Sequence, residues 1–381
     1  MKITLLDERS DVREILKKLR VSPAGIEIME KKAKLSLILI KDMKTAAANI
    51  LKQDALSVGA ELAVSKDTVL CKKDKTDALL IADLKRLQIL SEKELSQPFG
   101  LKELAKKIKE FINLPSRPVK IMGVINANED SFYEGSRFSG ENALKKIVSM
   151  IKEGADIIDI GGVSSRPGSV YPGEEEEFKR VKPIIDAIYE ESLYEKALFS
   201  IDSYSPKCVS YALERGFRIV NDITALSNDE TAKIAGEFKA KTVLMHMKGT
   251  PKDMQKNPFY EDVIKEVEEF FEKRIEKALK FGIKDIILDT GIGFGKRLED
   301  NLKLIKHQKH FLKFGYELLV GASRKSMIDK IHPSEVEERL PGTLAIHLKA
   351  VENGASIIRV HDVKEHVQAL KVWLAIENTT V

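Results

Sequence analysis

The chain of 381 residues carries 63 basic and 59 acidic side chains, a formal net charge of +4, with 43% hydrophobic and 32% charged residues. That near balance gives no electrostatic footprint for nucleic acid, while local basic groups leave anionic small molecules open as substrates. The length suits two domains, or one large barrel with an extension.

The N-terminus, MKITLLDERSDVRE, is charged within a few residues and holds no signal-peptide core. The longest apolar run, LSLILI at 35–40, is far too short to span a bilayer. Cys71 and Cys208 form no C-x-x-C pair, suit a reduced compartment and each read as packed small apolar residues. The expected location is the cytoplasm.

Residues 1–116 read as a small α/β or α+β domain. KLSLILIKDM, GAELAVSKD and DALLIADLKRLQIL look like short strands, interleaved with helices such as KTAAANILKQDAL. Lys52 and Asp54 read there as solvated helix-face charges, and the segment shows no catalytic constellation. NLPSRP at 113–118 is the linker, because its two prolines break the periodicity.

From about 119 onward one pattern repeats: a short apolar strand, a glycine- or polar-rich turn, then an amphipathic helix. The strands are expected at 119–126, 156–162, 197–202, 218–223, 241–247, 285–291, 317–323 and 356–363. Helical stretches such as EDVIKEVEEFFEKRIEKALKFG lie between them, and several end in Gly (Gly154, Gly216, Gly282, Gly354), as helix C-termini do. Eight such units over 117–381 fit a closed (β/α)8 TIM barrel, with an open doubly wound sheet as the alternative. A barrel puts its site at the C-terminal strand ends. Those ends carry Asn126, Asp159, Asp202, Asn221 with Asp222, His246, Asp289, Ser323 with Lys325, and Arg359 with His361. A polar group at every strand end is hard to explain as packing.

The stretch ILDTGIGFGK at 287–296 follows Asp289 with glycines at 291, 293 and 295. Its G-x-G-x-G-K spacing fits neither the dinucleotide fingerprint nor the P-loop, so alone it reads as a tight strand-to-helix turn. The wider set of strand ends is more informative. Asp202, Asp289 and Asn221 suit a flat heterocycle with amino and lactam groups, since a carboxylate accepts two parallel N–H bonds. Arg166 in SSRPGS, Lys325 in SRKS, and Arg359 with His361 in RVHD form a phosphate-recognition set. A ring-binding half beside an anion-binding half suggests a phosphorylated heterocycle.

Residues 118 to about 376 resemble the dihydropteroate synthase family through nearly every strand-end loop in order. The matching stretches are MGVINANEDSF, DIIDIGGVSSRPGS, SIDSY, IVNDI, LMHMKGTPKDMQ, ILDTGIGFGK, LVGASRKSMI and IIRVHDV. The resemblance implies condensation of 6-hydroxymethyl-7,8-dihydropterin diphosphate with p-aminobenzoate, giving dihydropteroate and pyrophosphate with Mg2+ as cofactor. It implies that Asp202, Asn221, Asp289 and Lys325 hydrogen-bond the pterin, that Met245 and Phe294 flank it, and that Arg359 covers its face. Asn126 would serve the Mg2+–diphosphate site, with Arg359 and His361 on phosphate oxygens. Ser165, Arg166 and Pro167, with Phe132, Lys325 and Ser326, would form the p-aminobenzoate side. Asp130, Lys325 and Arg359 would be catalytic, Asp130 by ordering the first loop over the reacting centre. The glycine turn would let backbone pack beside the ring. Small molecules are thus the expected partners, with neither nucleic acid nor membrane, and a homodimer is an open possibility.

The motifs depart from the family pattern at Asn128 and Glu129 (usually Thr and Pro), Val163 (Glu), Ser165 (Thr) and Thr290 (Pro). These bear on loop detail and on the aromatic amine more than on the pterin pocket. A pterin-binding methyltransferase acting on a corrinoid would share the Asp/Asn pocket but would need no diphosphate site, and the SSRPG, SRKS and RVHD loops argue against it. A pterin-binding protein without catalysis would not need Asn126, Arg359 and His361 together.

Overall fold

The computed structural model describes residues 3–127, 136–164 and 168–379, with 136–140 described by backbone alone. Contacts divide the chain into two compact units. One comprises the residues through Pro115 with those from Leu374 onward; the other is Ser116–Trp373. The sequence reading divides the chain at 116/117 and gives the C-terminal tail to the barrel, whereas the contacts group that tail with the first unit.

The first unit contains α1 (Val12–Lys18), α2 (Pro23–Glu30), β1 (Leu35–Lys44), α3 (Thr45–Ser57), β2 (Glu61–Val64), β3 (Lys75–Asp83), α4 (Leu84–Lys93) and α5 (Leu101–Glu110). Its sheet runs β1-β3-β2 with both pairings antiparallel, so the unit is α+β. Alternation sends Ala78, Leu80 and Ala82 of β3 inward onto Leu51, Leu62, Leu87, Leu90 and Leu101. DALLIADLKRLQIL is not one strand: β3 stops at Asp83, whose carboxylate accepts from the Arg86 N–H at 2.8 Å and caps α4. Cys208 is packed as expected, but Cys71 is exposed.

Asp54 is not a solvated helix-face charge either. Its carboxylate takes Lys93 Nζ at 2.8 Å and Gln97 Nε2 at 3.1 Å, beside the fully buried Glu94. Neither Glu94 oxygen has a hydrogen-bond partner when treated as an acceptor. Burial first, then Asp54, raises the Glu94 carboxyl to about 7, and a proton held on Glu94 would let it donate to Asp54.

The second unit contains β4 (Lys120–Asn126), α6 (Ser136–Glu153), β5 (Ile157–Gly161), α7 (Glu174–Glu190), β6 (Leu198–Asp202), α8 (Pro206–Glu214), β7 (Ile219–Asp222), α9 (Asp229–Glu237) and β8 (Lys241–Met245). It continues with α10 (Val263–Lys280), β9 (Ile286–Asp289), α11 (Leu298–Lys306), β10 (Glu317–Val320), α12 (Ser326–Ile331), α13 (Leu340–Glu352), β11 (Ile357–Val360) and α14 (Val363–Glu377), the last of these through Trp373. Every pairing is parallel, and β11 bonds both β10 and β4, so the sheet closes into an eight-stranded barrel. This excludes the open sheet. Met122, Ile157, Ile219, Val243, Ile287, Leu319 and Ile357 fill the interior as a shared core. All eight expected strands form, but several end two to three residues earlier than expected. The polar residues after them leave the ladder and become the loops at the barrel mouth. Among the described residues no helix is long and apolar enough to cross a membrane.

The Glu94 arrangement has a measurable consequence. The folded chain holds this proton to about pH 7, while the unfolded carboxyl releases it near 4.5, so the native state binds more protons between those values. Stability should therefore fall as pH rises through that window, by on the order of 3 kcal/mol. Glu94→Gln should flatten the fall in thermal melts between pH 5 and 8; an unchanged slope would place the ionisation elsewhere.

Candidate active site

Arg359 sits at the centre of the barrel mouth. Its Nε donates to Asp159 Oδ2 at 2.7 Å and a terminal nitrogen donates to Asp202 Oδ2 at 2.7 Å. Asn221 Nδ2 reaches the same Asp159 oxygen at 3.0 Å. Strand register makes this cluster possible: the Gly161, Asp202 and Asn221 positions are Cα partners across β5, β6 and β7, while Arg359 lies on β11 at the other side of β4. Burial works against the guanidinium charge, but Asp159 and Asp202 outweigh it and hold the group charged. Burial likewise raises the Asp202 carboxyl above its ordinary 3.8, against the pull of Arg359. Asp159 Oδ1 is buried without a hydrogen-bond partner. The sequence reading notes Asp159 only as a polar strand end, and nothing in one linear pattern pairs it with a residue 200 positions away.

Asp289 stands on the opposite side of the mouth. Its Oδ1 accepts from the Gly291 N–H at 2.7 Å, and burial raises its carboxyl while Lys325 and that N–H pull it down. The glycine turn that follows has a plain steric cause. Gly291, Gly293 and Gly295 all have positive φ (64°, 85° and 61°). A Cβ on Gly291 would lie 2.0 Å from the His246 carbonyl oxygen, and one on Gly295 would lie 2.2 Å from that of Lys248. The turn therefore packs against the β8 loop, where the sequence reading gives the glycines a pterin as neighbour.

Lys296, which the sequence reading quotes but does not assign, fastens this turn. Its buried ammonium donates to the carbonyls of His246 (3.1 Å), Gly291 (2.9 Å) and Phe294 (3.0 Å). Burial lowers it to about 7, opposed by Asp289. The Lys ending the glycine motif is the signal that could have found it. Lys325 Nζ donates to the Ile292 carbonyl and lies 4.4 Å from the centre of the Phe294 ring. Burial lowers Lys325 to about 8, against the pull of Asp289. Met245 is buried at the end of β8, in register with Asp289. Thr290, where the family motif carries Pro, buries a hydroxyl oxygen without a partner.

The loops after β10 and β11 are tied together. The Ser323 hydroxyl meets His361 Nδ1 at 2.9 Å, and Arg324 Nε donates to Asp362 Oδ2 at 3.0 Å. Burial, then Arg359 and Arg324, lowers the His361 imidazole to about 4. Ser326 is exposed at the start of α12, and Asn126 ends β4 half-buried. Two strand-end groups serve structure instead. Asp222 takes the Thr224 N–H and hydroxyl at 2.7 Å and the Leu226 N–H at 2.8 Å, and buried His246 packs among Tyr260 and Phe270. Asn128, Glu129, Asp130, Phe132, Ser165, Arg166 and Pro167 lie outside the described residues.

A closed barrel whose mouth gathers three carboxylates, an amide and buried cations is the architecture of the pterin-binding enzymes, and the chain belongs to that family, described as "Pterin binding enzyme", over residues 122–361. Its similarities fall on the dihydropteroate synthases. It is 42% identical to the bifunctional dihydropteroate synthase/dihydropteroate reductase of Helicobacter pylori, over 97% of each chain. It is 40% identical to the dihydropteroate synthase of Haemophilus influenzae, over 68% of this chain and 94% of that one. The dihydropteroate synthase of Xanthomonas albilineans, solved with 4-aminobenzoic acid, superposes with a TM-score of 0.64 at 36% identity, covering 69% of this chain and 94% of that one.

Lys296→Met tests the turn. It strands three carbonyls, so it should lower stability by on the order of 3 kcal/mol, with a depressed Tm. It should also weaken pterin binding, because the turn carries Phe294 and abuts Asp289. An unchanged Tm would show that the glycines alone hold the loop.

Proposed function

We propose that this chain condenses 6-hydroxymethyl-7,8-dihydropterin diphosphate with p-aminobenzoate, releasing pyrophosphate and forming 7,8-dihydropteroate. The observation carrying this reading is the two-sided mouth. Asp202, Asn221 and Asp289 offer acceptors to a flat amino-lactam ring, while Lys325, Arg359 and His361, from the loop after β10, from β11 and from the loop after it, would take the diphosphate. The ring pocket recognises the pterin through charge-assisted hydrogen bonds, with Phe294 and Met245 as apolar flanks. The bond between the methylene carbon and the diphosphate oxygen breaks, and its electron pair leaves with the diphosphate. The pterin delocalises the resulting cation, which the buried carboxylates stabilise. The neutral aniline nitrogen then attacks the methylene carbon, and its surplus proton passes to solvent or to the released pyrophosphate. Lys325, lowered by burial, interacts with both Asp289 and Arg359 and would serve both halves. Asp130, Phe132, Ser165, Arg166, Pro167 and Ser326 serve the amine side and the covering loop. No nucleophilic Ser or Cys is required; positioning and electrostatics do the work.

Among the described residues no group of three or more His, Cys, Asp or Glu could hold a metal through protein donors alone. A Mg2+ carried on diphosphate needs only one or two protein oxygens, its shell being completed by phosphate and water. The Asn126 side chain at the end of β4 suits that arrangement. When bound, Mg2+ supplies neutralisation of the departing negative charge. With small-molecule substrates and no membrane-crossing helix among the described residues, the cytoplasm is the proposed location, and a homodimer is compatible with it.

A second reading concerns residues 1–115. The Helicobacter pylori relative matches along them and carries a reductase activity in its name, whereas the Haemophilus influenzae synthase covers 68% of the chain. We propose the corresponding second reaction here: hydride from a reduced nicotinamide or flavin adds to carbon 6 of dihydropteroate, and a proton to nitrogen 5.

Purified protein with the pterin diphosphate, p-aminobenzoate and Mg2+ should release pyrophosphate; none with any aromatic amine would overturn the synthase reading. A chain starting at Ser116 should keep that turnover and lose dihydropteroate reduction; loss of turnover from a folded truncated chain would bring the first unit into the synthase site.

The two halves should also separate by mutation. Asp289→Asn puts a donor against the ring's amino group and should cost on the order of 2–4 kcal/mol in binding a pterin without diphosphate. His361→Ala should spare that ligand and weaken pyrophosphate with Mg2+. Equal weakening of both ligands by both variants in calorimetry would end the two-subsite assignment.

A further inference from the structure

Behind the β10 and β11 loops lie two buried histidines that the mechanism above does not use. His347 is on α13 and His366 on α14, and each is at most 2% exposed. The Ala322 N–H donates to His347 Nε2 at 3.1 Å, His347 Nδ1 meets His366 Nε2 at 2.9 Å, and His366 Nδ1 meets the Asp362 carbonyl oxygen at 2.6 Å.

The two ends of this chain fix every proton in it. A backbone N–H can only donate, so His347 Nε2 is bare and its proton is on Nδ1. That proton can only go to His366, whose Nε2 is therefore bare as well. His366 Nδ1–H then donates to a carbonyl that can only accept. Both imidazoles are neutral, and neither can take a second proton without turning one acceptor into a donor facing a donor. Burial favours the same state, lowering both groups below their ordinary 6.5. Lys325 and His361 face His347 and oppose its protonation, while Asp362 and Glu365 face His366 and favour it.

The chain joins two loops that carry site residues. Ala322 accepts the Lys325 N–H at 3.3 Å and precedes Ser323, which bonds His361; Asp362 follows His361 and binds Arg324. We propose that His347 and His366 are positioning residues for the synthase reaction, acting as a neutral relay from the Ala322 N–H to the Asp362 carbonyl that holds Lys325 and His361 at their working separation. This rests on the synthase reading. The Ser323–His361 and Arg324–Asp362 links run beside the relay, so cutting it shifts the loops without releasing them.

The test compares wild type, His347→Phe and His347→Gln in pyrophosphate release, together with nitrogen-15 spectra of the histidine rings. His347→Phe keeps a ring but loses the acceptor, and should lower kcat/KM for the pterin diphosphate by about ten- to a hundredfold. His347→Gln can accept from Ala322 and donate to His366, and should recover most of that loss. In wild type both rings should show a proton on Nδ1 alone, unchanged from pH 6 to 9. Rates for His347→Phe within about twofold of wild type would overturn the proposal, as would equal damage in both variants, which marks a packing role. A proton on Nε2 of either ring would overturn it independently. If His347→Phe does not fold, His366→Phe cuts the same relay from its other end and is judged by the same rates. A wild type that shows the tautomers but releases no pyrophosphate would refute the synthase reading, and the role in that reaction with it, while leaving the relay itself established.

Discussion

The mouth of this barrel is organised by one cation shared between two carboxylates. Asp159 and Asp202 reach Arg359 from β5 and β6 and offset the cost of burying its charge. Removing one partner of such a pair leaves an uncompensated charge, a loss on the order of 3 kcal/mol. The constraint works in both directions. The guanidinium fixes where the two acids stand, and Asn221, bonded to the same Asp159 oxygen, is set in turn. Two of the groups proposed to read the pterin, Asp202 and Asn221, are thereby placed through Arg359 and Asp159. The sequence reading gives Arg359 both the pterin face and the phosphate oxygens, and its bonds to Asp159 and Asp202 tie it to the carboxylate wall.

The opposite wall is built on a different principle. Lys296 spends its ammonium on three backbone carbonyls, so it acts as a peg for the glycine turn. With Gly291 and Gly295 pressed against the carbonyls of His246 and Lys248, the β8 and β9 loops become one body. Asp289, at the root of that body, has its acceptor direction set by the Gly291 N–H. Preorganised acceptors of this kind need not reorder when charge develops on the ring, which is the electrostatic advantage a cationic intermediate requires.

Much of this was legible in the sequence. Eight apolar runs with polar last residues give the strand count and the location of the site, because barrel interiors demand apolar side chains and only the C-terminal ends escape that demand. The glycine spacing marks a forced turn even before its neighbour is known. What was not legible depends on cross-strand geometry. The Asp159–Arg359 pair joins residues 200 positions apart, and Lys296, left unassigned in the sequence, is buried only because the turn wraps it. The lowering of the His361 imidazole comes from burial beside Arg359 and Arg324, which no linear pattern shows. In the first unit, the extended pattern of DALLIAD runs directly into α4, and only the capping bond at Asp83 marks where one period replaces the other.

The constraint on which the site depends most is the interdependence of Arg359 and Asp202. A double-mutant cycle with Asp202→Asn, Arg359→Gln and the combined variant, read as calorimetric affinity for a pterin lacking diphosphate, isolates it. The double variant should lose less than the sum of the single losses, with a coupling above about 1 kcal/mol. Losses that add within about 0.5 kcal/mol would show the two residues acting independently, and would contradict the claim that the guanidinium sets the pterin wall.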